Sequence, residues 1–65
     1  MPRYRIEIHD TDHDRIVDVR CFQEETGVDA VERARGLLPE STYGDLSVDD
    51  GTGQYVPYSV VRGAR

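Results

Sequence analysis

Apolar and polar residues alternate in the first quarter of the chain. Three apolar residues are separated by single polar ones, at Tyr4, Ile6 and Ile8. This period of two predicts a strand with one buried face. A polar stretch, 10–14, interrupts the pattern, which then resumes at Val17, Val19 and Cys21. We expect the two segments to form a β-hairpin with a five-residue acidic loop, the second apolar set also facing the core.

The next segment carries the signals of a helix. Thr26 followed three residues later by Asp29 approximates an N-terminal capping box. Apolar residues then recur at helical spacing and form one stripe, at Ala30, Val31, Ala34, Leu37 and Leu38. Pro39 prevents the helix from continuing. The pattern predicts one helix whose apolar stripe packs on a sheet.

A second hairpin is predicted after the helix. Leu46 and Val48 alternate with polar residues, and the turn sequence Asp-Gly-Thr-Gly occupies 50–53. A fourth strand runs from about Gln54 to Arg62, with Val56, Tyr58 and Val60 on one face and Tyr55, Pro57, Ser59 and Val61 on the other. Pro57 cannot donate to a strand ladder, which predicts an edge strand or a local bulge.

These elements predict one α+β domain spanning residues 1–65. We expect a ββαββ fold in which two β-hairpins form a mainly antiparallel four-stranded sheet, with the helix packed on one face. The short linker after the helix implies that the second and third strands run in the same direction, with the two acidic turns at opposite ends. A negative stripe past the helix N-terminus is expected to connect those turns. The pattern leaves the strand order open.

The sheet face away from the helix is predicted to be mixed in character. Its expected members are Arg3, Arg5, His9, Ile16, Asp18, Arg20, Phe22, Tyr55, Pro57 and Val61. The apolar members of this set form either a contact patch for a partner or a second copy, or a surface partly covered by the chain ends.

The net charge of the chain limits the classes of ligand that it can bind. The formal net charge is −5 and the isoelectric point about 4.7, which argues against direct binding of nucleic acid. Every acidic residue except Glu7 lies between Asp10 and Asp50, whereas Arg3, Arg62 and Arg65 help to make the ends basic. All eight basic residues are arginine.

Cysteine content and hydropathy bear on the cellular setting. Cys21 is the single cysteine, so an intrachain disulfide is excluded and a cytoplasmic setting is expected. The longest apolar runs contain two residues, which predicts no membrane segment.

The segment His9–Asp14 combines carboxylates and imidazoles, the donor types of metal sites. It departs from a calcium-binding loop because Arg15 stands where glycine is required and Cys21 where a bidentate glutamate is required. We expect a solvated hairpin loop, with no metal and no cofactor. Cys21 is expected to be buried and inert, and with little concave space in so small a domain we predict no catalytic residues and no enzyme activity.

The leading functional hypothesis is a small acidic inhibitor. Its negative surface would occupy a basic groove of a protein partner, including a groove built for nucleic acid. The candidate contact residues are Asp10, Asp12, Asp14, Asp18, Glu24, Glu25, Asp29, Glu32, Asp45, Asp49, Asp50 and Tyr55. Two alternatives stay open. The acidic residues keep a small domain soluble, or the chain is an assembly module that homodimerises through a sheet edge or the mixed sheet face. The chain is accordingly a monomer or a homodimer.

In size, acidity, arginine-only basic residues and hairpin-helix-hairpin plan, the chain resembles small phage-type anti-CRISPR inhibitors, some of which act as DNA mimics. The likeness rests on the acidic residues just named and extends along the whole chain. It implies that the partner is a nucleic-acid-guided effector or one of its subunits, and that the acidic surface occupies a DNA or RNA path.

Overall fold

The computed structural model describes residues 1–63, which form four strands and one helix. The elements are β1 (Arg3–Asp10), β2 (Arg15–Gln23), α1 (Gly27–Leu37), β3 (Thr42–Asp49) and β4 (Tyr55–Arg62). The sheet has the order β2-β1-β3-β4, and every neighbouring pair is antiparallel. The predicted α+β ββαββ fold is confirmed. Arg65, one of the residues predicted to make the ends basic, lies outside the described residues.

Helix α1 begins where the sequence predicts. The backbone of Thr26 is extended, and its hydroxyl accepts a hydrogen bond of 3.1 Å from the backbone N–H of Asp29. This bond satisfies one of the free N–H groups of the first turn. At the other end Leu38 returns to an extended conformation, as expected for a residue before proline. Ala30 and Ala34 are fully buried, because their small side chains let the helix approach the sheet closely.

The core lies between α1 and one face of the sheet. Tyr4, Ile6 and Ile8 of the central strand β1 are buried, as predicted, together with Leu46 of β3. Full burial of such a side chain contributes roughly 1.5 to 3 kcal/mol of transfer free energy. With so few large side chains available, each core residue carries a substantial share of the stability.

The prediction for β2 was wrong about which face is buried. Tyr4 pairs with Phe22 and Arg5 pairs with Cys21, so Phe22 enters the core while Cys21 and Val19 lie on the opposite face. Because side chains alternate along a strand, burial of Phe22 places the residues next to it in the alternation, Cys21 and Val19, on the face away from the helix. Burying the larger phenylalanine ring, stacked 5.9 Å from the ring of Tyr4, outweighs burying valine and cysteine.

The same register also corrects the predicted face of two polar residues of β2. Asp18 pairs with Ile8 and Arg20 pairs with Ile6, so both lie on the helix side of the sheet instead of the opposite face. They stay exposed there. Val17 lies at a bulge, since the register shifts between Ile8 and His9.

Strand β4 combines both properties that Pro57 predicted, since it is an edge strand and it is bulged. Ser47 pairs with Pro57 and Leu46 with Ser59, which leaves Tyr58 as the extra residue. After the bulge, each residue of β4 lies on the sheet face opposite to the one predicted. Val61 is buried instead of facing away from the helix, and Val60, pairing with Asp45, is exposed on the other face. Tyr58, the extra residue of the bulge, is 49% exposed.

Candidate interaction surface

The two acidic turns lie at opposite ends of the sheet, as predicted, because β1 and β3 are antiparallel. The acidic residues at the helix N-terminal end are Glu24, Glu25, Asp29, Asp49 and Asp50, and those at the far end are Asp10, Asp12 and Asp14. An eight-residue strand separates these groups by about 26 Å. The helix N-terminus therefore lies at the same end as one acidic group, and the expected negative stripe connecting the two turns is absent from the described residues. Asp18 and Glu32 lie between the ends on the helix side, and Asp45 lies on the opposite sheet face.

Carboxylates at the far end stabilise the β1–β2 turn. Asp10 accepts hydrogen bonds from the backbone N–H of Asp12 at 2.8 Å and from Nδ1 of His13 at 3.0 Å. The side-chain bond from His13, followed by the backbone bond, lowers the pKa of Asp10 below its ordinary value. Asp14 has a left-handed backbone and accepts a bond of 3.2 Å from the Tyr43 hydroxyl.

The β3–β4 turn is built in the same way. Asp49 accepts hydrogen bonds from the backbone N–H groups of Gly51 and Gly53, at 2.8 and 3.1 Å. Asp50 accepts from both the hydroxyl and the backbone N–H of Thr52, and the hydroxyl bond is the larger cause of its lowered pKa. These carboxylates fold the turns that carry them.

Other acidic residues are paired with arginines. The ion pairs are Asp18–Arg20 at 3.2 Å, Glu24–Arg33 at 3.0 Å and Glu32–Arg35 at 3.5 Å. Within residues 1–63, the side chains of Asp12, Glu25 and Asp29 form no hydrogen bond or ion pair. The predicted acidic surface is thus largely neutralised or held in local structure, and only part of its charge faces solvent unpaired.

The sheet face away from the helix, here called the open face, has a polar centre. Its central residues on β1 are Arg5, Glu7 and His9, and Asp45 lies beside them on β3. The Arg5 guanidinium lies over the Tyr55 ring, 5.1 Å from its centroid. The predicted contact residue Tyr55 therefore lies on this face, directly opposite Asp49 at the β3–β4 turn.

Three titratable groups meet at that centre. Nε2 of His9 lies 3.2 Å from Oδ2 of Asp45 and 3.8 Å from Oε1 of Glu7. Sequence reasoning grouped His9 with the loop acids instead. The spacing of Glu7 and His9 on one strand face was a usable signal, whereas the contribution of Asp45 depends on the β1–β3 register.

Strand β2 forms an exposed edge with apolar side chains on the open face. Eight of its nine residues are exposed, and Val19 retains 47% of its accessible area. Sheet edges with free backbone groups pair readily with another strand. The opposite edge, β4, is interrupted by Pro57 and by the bulge at Tyr58. The two edges therefore differ in their capacity to accept a strand.

Among residues 1–63, no helix has the length and apolar character needed to cross a membrane. Comparison with protein-family models, with curated proteins and with solved structures gave no match for the chain.

Proposed function

We propose that this chain is a non-enzymatic assembly module in which two copies pair through their β2 edges. The observation that supports the proposal is the self-complementary sequence of that exposed strand. When two β2 strands are placed antiparallel about a two-fold axis at Val19, Asp18 of each copy lies opposite Arg20 of the other. The same pairing occurs twice by symmetry, so the Asp18–Arg20 ion pair within each chain is replaced by two such pairs between the chains.

Further apolar pairs lie close to the axis in this register. Val19 meets its own copy across the axis, and Val17 lies opposite Cys21. Val19 and Cys21 project from the open face, where pairing would remove apolar surface from water. Cross-strand apolar and opposite-charge pairs each contribute roughly 0.2 to 1 kcal/mol. Backbone hydrogen bonds along the free edge add affinity without sequence preference.

The proposal also accounts for the unusual placement of Val19 and Cys21. On an isolated edge strand, an apolar pair exposed beside the strand's free backbone groups promotes nonspecific pairing. In a specific dimer those features become the contact surface. The setting we propose is the cytoplasm, in keeping with the single cysteine.

Charge exchange tests the pairing register. Asp18→Arg alone places two arginines opposite each other at both symmetric positions, and Arg20→Asp alone places two aspartates there. We expect wild type to sediment as a dimer in analytical ultracentrifugation and each single variant as a monomer. Mixing the two single variants brings opposite charges together again, so we expect a heterodimer. The double variant Asp18→Arg/Arg20→Asp should also be dimeric.

Asp12→Arg provides the matched control, since it changes the net charge by the same amount far from the proposed contact. It should leave the sedimentation of the dimer unchanged. A monomeric wild type contradicts the proposal, and so does a dimer that persists in both single variants or fails to form on mixing. Circular dichroism establishes that every variant keeps the fold.

The acidic inhibitor is a second candidate, favoured by the charge gathered at the helix N-terminal end. There Glu25 and Asp29 are free of ion pairs within the described chain and lie at the same end as Asp49 and Asp50. Such a surface suits a basic groove on a partner that handles nucleic acid. Because Asp49 folds its turn, the informative variant is Glu25→Arg/Asp29→Arg.

A pull-down from nuclease-treated bacterial lysate tests this second candidate. We expect wild type to retain a basic protein that moderate salt releases, since screening weakens contacts between exposed charges. The Glu25→Arg/Asp29→Arg variant should lose it, and Glu40→Arg, at the other end of the helix, should not. Equal retention by all three proteins argues against an acidic contact surface.

A further inference from the structure

We infer that Glu7, His9 and Asp45 form a zinc site at the polar centre of the open face. The inference goes beyond the proposed pairing and does not depend on it, because all three residues belong to one chain. A ligand atom from each residue lies within 4.8 Å of the other two. One imidazole nitrogen with two carboxylate oxygens is a donor set that zinc accepts.

The first supporting observation is a like-charged pair. Glu7 and Asp45 are direct partners across the β1–β3 ladder, which places two carboxylates side by side. Like charges directly opposite each other destabilise a sheet. Arg5 contacts Glu7 at 3.6 Å through Oε2, and Oε1 is the oxygen turned toward His9. A divalent cation between the carboxylates would remove the repulsion at its source.

The second observation concerns His9. Its Nε2 atom is shielded from solvent and has no hydrogen-bond partner among residues 1–63, although Asp45 is near. Buried polar atoms are rarely left unsatisfied, so this nitrogen calls for a ligand. The imidazole ring stacks on Tyr43 with centroids 4.9 Å apart and planes at 8°. This stacking fixes the ring with Nε2 directed at the two carboxylates.

The distances fit a tetrahedral ion. Bonds of 2.0 to 2.2 Å to nitrogen and oxygen ligands place neighbouring ligand atoms about 3.4 Å apart. The observed separations from Nε2 are 3.2 Å to Asp45 and 3.8 Å to Glu7. The Glu7 and Asp45 oxygens lie within 4.8 Å of each other, so binding requires these two side chains to rotate toward the ion. Three protein ligands leave a fourth position for water or another donor.

The surroundings also favour binding. Val19 is the cross-strand neighbour of Glu7 on one side, and Val60 is the neighbour of Asp45 on the other. Both valines stay partly exposed, but the Nε2 atom of His9 itself is shielded from solvent. Shielding at that atom strengthens its electrostatic attraction to an ion. Calcium and magnesium prefer sets made of oxygen donors, so the imidazole selects for zinc over these ions.

Isothermal titration with Zn²⁺ and absorbance titration with Co²⁺ test the site on the full chain. We expect one ion per chain, with the visible absorption of a tetrahedral cobalt complex. His9→Gln and Asp45→Asn should each weaken binding at least about 100-fold, since the loss of groups that merely support a ligand already weakens metal affinity about 10- to 100-fold. Both residues lie on the open face outside the core, and circular dichroism verifies the fold of each variant.

His13→Gln is the matched control, because His13 also contacts a carboxylate, that of Asp10, but lies in the β1–β2 loop. Its zinc affinity should equal that of wild type. Loss of binding in His13→Gln with retention in His9→Gln would move the ion to the loop and overturn the inference. No heat of binding at millimolar zinc, or equal affinity in all variants, would overturn it as well. Repeating the titration with Asp18→Arg separates this result from the proposed dimer, since the site should survive in the monomer.

Discussion

Gly44 lies directly beneath the side chain of Ile6 on the helix-covered face of the sheet. A Cβ atom added to Gly44 would overlap Cδ1 of Ile6, lie 2.7 Å from Cγ1 of Ile6 and lie 3.2 Å from Cδ2 of Leu38. Since Ile6 is completely buried, its side chain has no free space into which to move. The absence of a side chain at position 44 is thus a packing requirement of the core.

Gly44→Ala is expected to lower the free energy of unfolding by roughly 1 to 3 kcal/mol through overpacking. Gly36→Ala is the matched control, because a Cβ there meets no atom of the described chain within 4 Å apart from its chain neighbours and the local helix backbone. In the helix, alanine should stabilise by about 0.5 to 1 kcal/mol relative to glycine. Urea titrations of both variants measure these changes, and a neutral or stabilising Gly44→Ala would contradict the packing argument.

Phe22 and Val19 test the corrected register of β2. Phe22→Leu should destabilise by about 1 to 1.5 kcal/mol, because it removes volume from the core next to Tyr4. Val19→Thr, on the open face, should change the stability by less than about 0.5 kcal/mol. Both are measured by thermal denaturation at concentrations where the chain is monomeric. A larger loss for Val19→Thr than for Phe22→Leu would restore the register that alternation alone suggested.

The helix N-cap gives a third prediction. Thr26→Ala removes the hydroxyl that accepts from the Asp29 N–H and should lower stability by about 1 kcal/mol. Thr26→Ser keeps an equivalent oxygen and should behave like wild type within a few tenths of a kcal/mol. Chemical denaturation of the two variants distinguishes capping from a general effect of truncation, which would penalise both.

Acid should weaken the fold through its two turns. The pKa values of Asp10 and Asp50 are lowered in the folded chain, so their contribution to stability is fully present above their unfolded pKa of about 3.9. It is lost as the pH falls through the lower folded values, since the unfolded chain binds these protons first. Denaturation midpoints measured from pH 6 down to pH 2 should therefore decrease once the pH is below about 4.

Asp50→Asn removes one of the two titrating groups, and the fall in stability with acid should become shallower. Asp12→Asn, with no hydrogen bond to its side chain among residues 1–63, serves as the control and should keep the wild-type slope. Identical slopes for wild type and Asp50→Asn would contradict the role assigned to the Thr52 contact.

Most of the fold was readable from local patterns, because each element has its own signal. The alternation at Tyr4, Ile6 and Ile8, the cap at Thr26 and the turn at 50–53 all predicted the observed elements. The faces of β2 and β4 were not readable. On β2 both alternating sets contain apolar residues and the burial of Phe22 decides between them, whereas on β4 the bulge at Tyr58 decides. A bulge inserts one residue without changing the local pattern, so Val60 and Val61 exchange faces with no sign in the sequence.

The site was less predictable than the fold for a related reason. The charges at Asp10, Asp49 and Asp50 looked like a surface for a partner, yet hydrogen bonds within the turns engage them. The cluster of His9 with Glu7 and Asp45 needs the β1–β3 register, which long-range pairing decides. Composition reveals how much charge a chain has, whereas only the register reveals which charges are neighbours.

The two edges of the sheet differ in their ability to pair, and this difference limits the size of the proposed oligomer. A sheet that can pair at both edges adds further copies at each edge and forms a filament. Here Pro57 and the bulge at Tyr58 make β4 a poor acceptor of another strand. Two chains joined at β2 would present β4 at both outer margins of an eight-stranded sheet. One proline on the far strand would thus keep the oligomer closed and finite.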